Sequence, residues 1–168
     1  MDKVLDGKFF NPTRGNLTLP EVIGEMKSYI KQKPEKFYDI IVGCDSSSSE
    51  TPNFPLAIVA LRVGEGGRFF LKKIGYQNRI FHSRWRERIL EEVFLSCQLA
   101  LHLRGSLEKA FDEQNFKYQF RYIHADVGEN GATKDMIREV TGLIRGNGFE
   151  PKIKPESFAA SNVADRYS

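Results

Sequence analysis

The chain has 168 residues, with 25 lysines and arginines against 22 aspartates and glutamates, and a formal net charge of +3. This length suits a single domain with its own hydrophobic core. A content of 40% hydrophobic and 12% aromatic residues excludes disordered, collagen-like and coiled-coil chains, and no apolar run reaches the ~18 residues of a membrane helix.

In chain order, the hydrophobic patterns predict a helix, three successive strands, a long helix, a strand, a helix, a strand and a final helix. Thr18 is the expected N-cap of the first helix and Pro34 its end. The predicted strands cover 38–44, 54–63, 68–76, 119–126 and 149–154, with a glycine-rich hairpin connection at 64–67. The later predicted helices cover 83–104, 133–145 and 157–167. Three strands followed by strand–helix alternation indicate an α/β (α+β) domain over residues 1–168, with a mixed five-stranded sheet flanked by helices.

Cysteine usage and the N-terminus bear on the compartment. Cys44 and Cys97 form no CxxC or Cys/His zinc spacing, so we expect two buried thiols in a reducing environment. The first ten residues lack the apolar stretch of a signal peptide. We therefore expect a cytoplasmic protein with no membrane association. His124 is expected to be a packed strand residue.

Two aspartates follow predicted strands. Asp45 ends the first strand and Asp126 ends the fourth. Ligand sites of open α/β sheets form beyond the carboxyl ends of strands, so both residues are candidates for one shared site. A strand-end aspartate is also a common turn former, which is the simpler interpretation for either residue alone.

Two further carboxylates occupy unusual helical positions. Glu92 shares the face of the long helix that carries Ile89 and Val93 and must pack against the sheet, where a carboxylate needs a cation or donor. Glu91 points ~100° away and is expected to be a solvated surface residue. Asp165 follows a run of small residues in the last predicted helix.

Four carboxylates at one edge would repel one another and raise their own pKa values unless divalent cations neutralised them. Oxygen-only ligands favour Mg²⁺ or Mn²⁺ over zinc. Two such ions ~4 Å apart support phosphodiester hydrolysis, so this pattern indicates a two-metal nuclease.

The same residues carry a family resemblance. The order strand-Asp, two strands, helix-Glu, strand-Asp, late-helix-Asp resembles the ribonuclease H-like superfamily. Residues 43–46 (GCDS), 124–134 (HADVGENGATK) and 154–165 (KPESFAASNVAD) resemble the bacterial YkuK-like family, over nearly the whole chain from Phe10 onward. The resemblance implies a ribonuclease H-like fold and, by position, a catalytic and metal-binding role for Asp45, Glu92, Asp126 and Asp165.

A basic segment precedes and enters the long helix. Residues 68–88 contain seven lysines and arginines and a single acid, Glu87, with aromatic residues interleaved. Cations neutralise phosphates and exposed aromatics stack on bases, so we expect a nucleic-acid surface. In the alternative interpretation, some aromatics belong to the core and the charges form a solvated face. The residues expected to bind nucleic acid are Arg68, Lys72, Lys73, Arg79, Arg84, Arg86, Arg88 and Trp85.

A glycine-containing loop, 126–134, leads into a predicted helix and has the features of an anion site, although it lacks the GxxxxGK[ST] spacing. The candidate phosphate contacts are Ser46, Gly128, Gly131, Thr133, Lys134 and Lys154.

Three functions follow as hypotheses. The first is a Mg²⁺- or Mn²⁺-dependent nuclease acting on RNA, DNA or a hybrid. The second is nucleotide phosphohydrolysis of actin-like type, which the size of the chain disfavours because actin-like ATPases bind nucleotide between two such domains. The third is a non-catalytic nucleic-acid-binding protein in which the carboxylates are vestigial.

Overall fold

The computed structural model describes residues 3–47, 51–81 and 84–160. The strands in these ranges are β1 Phe9–Asn11, β2 Gly15–Leu17, β3 Tyr38–Cys44, β4 Phe54–Arg62, β5 Gly66–Ile74, β6 Tyr118–His124 and β7 Glu150–Lys152. The α-helices are α1 Leu19–Gln32, α2 Arg84–Ala110 and α3 Ile137–Gly146, and a 3₁₀ helix covers Ala132–Met136. None of the described helices is long and apolar enough to span a membrane.

One mixed sheet joins all the described strands, in the order β2-β1-β5-β4-β3-β6-β7. The β3–β6 and β6–β7 pairs are parallel and the others are antiparallel. The expectation of a mixed sheet flanked by helices is confirmed, but the number of strands is seven and not five. The two strands that were not predicted, β1 and β2, form an N-terminal hairpin. This hairpin extends the sheet through the pairing of Phe10 with Leu71 of β5. Strands of three residues are too short to show a period of two in the sequence.

Helix α1 begins as predicted. Thr18 and Glu21 form a capping box, in which each side chain accepts a hydrogen bond from the other's backbone N–H. The buried side chains of α1 recur at helical spacing and pack against the sheet; they are Leu19, Val22, Met26, Tyr29 and Ile30.

The later helices differ from the prediction at their ends. Helix α2 continues to Ala110, because Leu107 extends its buried face. The helix predicted over 133–145 begins as the 3₁₀ helix and becomes α3 only at Ile137. Of the helix predicted over 157–167, Ser157 is not helical, residues 158–160 are helical, and 161–167 lie outside the described residues.

The sheet packs on both faces. The larger core lies between one face and the three α-helices, whereas Ile41 and Val59 on the opposite face contact the C-terminal segment at Ala159. Gly43 permits this contact, since a β-carbon there would lie 2.8 Å from the backbone nitrogen of Ala160. His124 is a packed strand residue, as expected; its Nδ1 accepts a hydrogen bond from the Ala159 N–H at 3.2 Å.

This topology brings two strand ends to one edge of the sheet. Parallel neighbours β3 and β6 both end there, followed by Asp45 and Asp126, and β4 begins and β5 ends at the same edge. We call it the carboxylate edge. It is the edge at which ligand sites of α/β sheets form.

Candidate active site

Asp45 is fixed in place by the backbone around it. Its N–H donates to the carbonyl oxygen of Pro55 at 3.2 Å, and its Oδ1 accepts the N–H of Ser46 at 2.8 Å. The residue is only 8% exposed. Asp45 therefore shapes the turn after β3 and also places a carboxylate at the carboxylate edge.

Glu92 approaches Asp45 from α2. It is 5% exposed, and its Oε2 accepts a hydrogen bond from the Ser46 hydroxyl at 2.5 Å. Loss of water raises the pKa of Glu92 well above its ordinary value, and the negative charges of Asp45 and then Asp126 raise it further, against the opposing effects of Ser46 and Arg88. Glu92 thus faces inward, as the helical pattern predicts, in a region of concentrated negative charge.

Glu91 is buried too, which corrects the expectation of a solvated surface residue. It is 9% exposed; Tyr76 donates a short hydrogen bond to its Oε2, and Nη1 of Arg79 lies 3.1 Å from its Oε1. The loop after β5 packs against the face of α2 that carries Glu91. This face is therefore covered in addition to the face of Glu92, which points toward the sheet. The helical periodicity of α2 alone cannot predict this contact with a loop outside the helix.

Asp126 lies at the neighbouring strand end with a cation beside it. Nζ of Lys154 is 3.1 Å from Oδ1 of Asp126. The Lys154 side chain passes over Gly128, where an added β-carbon would lie 2.9 Å from the β-carbon of Lys154. A lysine therefore neutralises part of the negative charge at the carboxylate edge.

The donor chemistry of the carboxylate edge suits a hard divalent cation. Asp45, Glu92 and Asp126 offer oxygen ligands only, and the charges of Asp45 and Asp126 raise the pKa of Glu92, an effect that a bound cation would relieve. Within ranges 3–47, 51–81 and 84–160, no three acidic, histidine or cysteine side chains converge closely enough to hold one ion. The fourth predicted ligand, Asp165, lies outside the described residues.

Several predicted phosphate contacts bond to protein groups. The Gly128 N–H donates to Oγ1 of Thr133 at 3.1 Å, Ser46 bonds to both Asp45 and Glu92, and Lys154 pairs with Asp126. The element after the loop is a short 3₁₀ helix, not the predicted α-helix, and therefore lacks an α-helical N-terminus to bind an anion. Gly131 and Lys134 are exposed, and their phosphate contacts stay predictions.

The aromatic side chains of the basic segment belong mainly to the core. Phe70 and Phe81 are buried, while Tyr76 and Trp85 are partly buried and pack against the core. The alternative interpretation, in which some of these aromatics belong to the core, is correct for Phe70 and Phe81, and contact of Trp85 with nucleic acid stays a prediction.

The cations of the basic segment have varied surroundings. Arg68 lies over the Tyr29 ring, Arg86 pairs with Glu139, and Arg88 donates to the carbonyl oxygen of Ser47. Lys72 is half-buried and Lys73 is exposed on β5, whereas the side chain of Arg84 lies outside the described residues.

Comparison with known proteins identifies the family. Residues 21–168 match a family model described as Ribonuclease H-like. The chain belongs to this ribonuclease H-like family. It is also 31% identical over 168 residues to the uncharacterized protein YkuK of Bacillus subtilis (strain 168), a match that covers 95% of this chain and 96% of YkuK. No solved structure matches. The resemblance to YkuK-like proteins is confirmed, and membership of the ribonuclease H-like family supports a nuclease-type or nucleic-acid-binding role.

In this ribonuclease H-like chain, the sequence did not reveal two contacts of the site. The Tyr76–Glu91 contact joins residues 15 apart along the chain, and the contact of Ser46, a predicted phosphate contact, with Glu92 joins residues 46 apart. The only signal for the first was a second glutamate beside Glu92. The signal for the second was a hydroxyl directly after a strand-end aspartate.

Proposed function

We propose that the chain is a divalent-metal-dependent nuclease that hydrolyses phosphodiester bonds of nucleic acid at the carboxylate edge. One observation carries the proposal: the carboxylates of Asp45 and Glu92 come from different elements, are both buried and share hydrogen bonds with Ser46, while Asp126 follows the parallel strand next to β3 at the same edge. Structural carboxylates are rarely buried together without cations, because each raises the cost of ionising the next.

The residues have distinct roles in this proposal. Asp45, Glu92, Asp126 and Asp165 would hold Mg²⁺ or Mn²⁺. When bound, these ions supply charge neutralisation at the phosphate and a water of lowered pKa. Ser46 orients Glu92 through its hydroxyl, and Lys154 offers a cation near Asp126 that can meet a phosphate oxygen.

The test is cleavage of labelled RNA, DNA and hybrid strands with and without Mg²⁺ or Mn²⁺. Asp45→Asn and Asp126→Asn keep size and shape but remove a charge, and we expect each to lower the cleavage rate at least about a hundredfold. Glu108→Gln is the matched control, because Glu108 is an exposed carboxylate of the same helix as Glu92. It should leave the rate unchanged.

Two results would reject this function. If the purified protein cleaves none of the strands and Asp45→Asn behaves like the wild type, the fold acts without catalysis and strand binding should survive Asp126→Asn. If phosphate is released from ATP and no strand is cut, the chain is a nucleotide phosphohydrolase.

A further inference from the structure

A surface groove of about 580 Å³ lies along the loop that connects β5 to α2. Its lining combines two cations, one tyrosine ring and two amide side chains, in Lys3, Gly75, Tyr76, Gln77, Asn78 and Arg79. The loop leaves β5 at the same edge of the sheet as Asp45, because Ile74 pairs with Phe54 where β4 begins. The groove therefore opens beside the carboxylate edge.

Arg79 contacts three side chains, yet about half of its own side chain stays accessible. Its Nη1 lies 3.1 Å from Oε1 of Glu91, and its guanidinium carbon lies 4.3 Å from the centroid of the Phe81 ring and 5.3 Å from that of Tyr76. The side chain is nonetheless 47% exposed. A guanidinium fixed in this way has already lost much of its rotamer entropy, so a further contact to an anion costs less.

Lys3 supplies a second cation close to the ring of Tyr76. Its Nζ donates to the carbonyl oxygen of Gly75 at 2.6 Å and lies 4.2 Å from the centroid of Tyr76. The ammonium has three donors, and the Gly75 bond uses one. Tyr76 is in turn fixed by its hydrogen bond to Glu91. Two cations thus lie near the ring of Tyr76.

The amides of Gln77 and Asn78 are exposed on the same loop. Amide side chains donate and accept together, which suits the edge of a nucleobase, whereas the cations suit a phosphate. A groove with both kinds of group matches a nucleotide better than it matches a simple anion.

Glu91 connects this groove to the carboxylate edge. Glu91 and Glu92 are consecutive in α2 and their side chains diverge by ~100°, so one points to Arg79 and the other to the region of Asp45. Because Glu91 accepts hydrogen bonds from Tyr76 and Arg79, two residues that line the groove, it is a positioning residue for the groove. Glu92 instead lies at the carboxylate edge.

We propose that this groove is a nucleotide-binding subsite for the strand whose cleavage is proposed above. A phosphate contacts Arg79 and Lys3, and the base edge contacts Gln77 and Asn78. This inference rests on the proposed function, because that function makes nucleic acid the ligand. Binding of a strand at the groove does not itself require cleavage.

The test is fluorescence anisotropy with labelled single-stranded homopolymers of about 12 nucleotides, in EDTA and over a salt series. Arg79→Met and Lys3→Met should each weaken binding about three- to tenfold and reduce the slope of log K against log salt by about 0.7. Gln77→Ala with Asn78→Ala should change the preference among bases and keep the slope. Lys31→Met removes the same charge from an exposed lysine in the last turn of α1 and should change neither quantity.

Two variants separate binding from folding. Arg79→Lys keeps the charge but loses the planar stacking, so it should keep the salt slope while binding less tightly than wild type. Lys3→Met leaves Glu91 with both of its partners, and its thermal midpoint should match that of wild type.

Glu91→Gln tests the positioning role. Glutamine can still accept from Tyr76 but cannot pair with Arg79 as an ion. With a nucleic-acid strand that the wild type cleaves, this variant should raise KM about three- to tenfold and keep kcat within about twofold of the wild-type value. Glu92→Gln should instead lower kcat.

The outcomes separate this subsite from the nuclease itself. Wild-type affinity and slope in both Lys3→Met and Arg79→Met would overturn the subsite even if the protein cleaves strands, as would equal weakening by Lys31→Met. Failure of wild type to bind any homopolymer would also overturn it. Binding that depends on Lys3 and Arg79, without cleavage in any divalent ion, would support the subsite and reject the nuclease.

Discussion

Gly43→Ala is the sharpest test of how the C-terminal segment docks on the sheet. The added β-carbon would lie 2.8 Å from the backbone nitrogen of Ala160 and 2.9 Å from the carbonyl carbon of Ala159. Both are backbone atoms, so no side-chain rotation relieves the clash. Overpacking of this kind costs ~1–3 kcal/mol, and displacing the segment also weakens the Ala159–His124 hydrogen bond, worth ~1 kcal/mol. We therefore expect the free energy of unfolding to fall by about 2–4 kcal/mol.

The assay is urea denaturation near neutral pH, and the chain provides a glycine-to-alanine control of opposite sign. Gly105 lies within α2 with nothing within 4 Å of its added β-carbon, so Gly105→Ala should stabilise the protein by ~0.5–1 kcal/mol. A Gly43→Ala protein within about 0.5 kcal/mol of wild type would refute the packing described here.

Two further predictions concern the lysine at the carboxylate edge and the thiols. Lys154→Met removes the cation beside Asp126, so Mn²⁺ should bind about two- to fivefold more tightly in calorimetry, and unchanged or weaker binding would contradict this role. Burial raises the pKa of Cys97 to about 11 and that of Cys44 well above its ordinary value. Neither thiol should react with DTNB at about pH 8 before urea unfolds the chain; rapid labelling of the native protein would show that a thiol is accessible.

Much of the fold could be predicted because local signals dominate it. The capping box of α1, the apolar run of β3 and the glycine connection between β4 and β5 each appear within a few residues of sequence. The β1–β2 hairpin could not be predicted in this way. The position of this hairpin in the sheet depends on the pairing of β1 with β5, a contact between residues far apart in the sequence.

The candidate site was predictable to the extent that it follows strand ends and helix periodicity. These signals placed Asp45 and Asp126 at one edge and turned Glu92 inward. They failed for Glu91, whose burial depends on the loop that carries Arg79, and for the aromatics of the basic segment, which fill the core. Composition shows that cations and rings alternate, but only the folded chain shows which of them face solvent.

The most direct test of the central claim is Mn²⁺ binding measured by calorimetry on wild type, Glu92→Gln and Glu108→Gln. Glutamine at position 92 can still accept the Ser46 hydrogen bond and removes a charge that is costly to bury, so the metal-free variant should be at least as stable as wild type. We predict that wild type and Glu108→Gln bind Mn²⁺ alike and that Glu92→Gln binds at least about tenfold more weakly. Equal Mn²⁺ affinity in all three proteins, or no binding by wild type, would contradict the assignment of the carboxylate edge as a metal site.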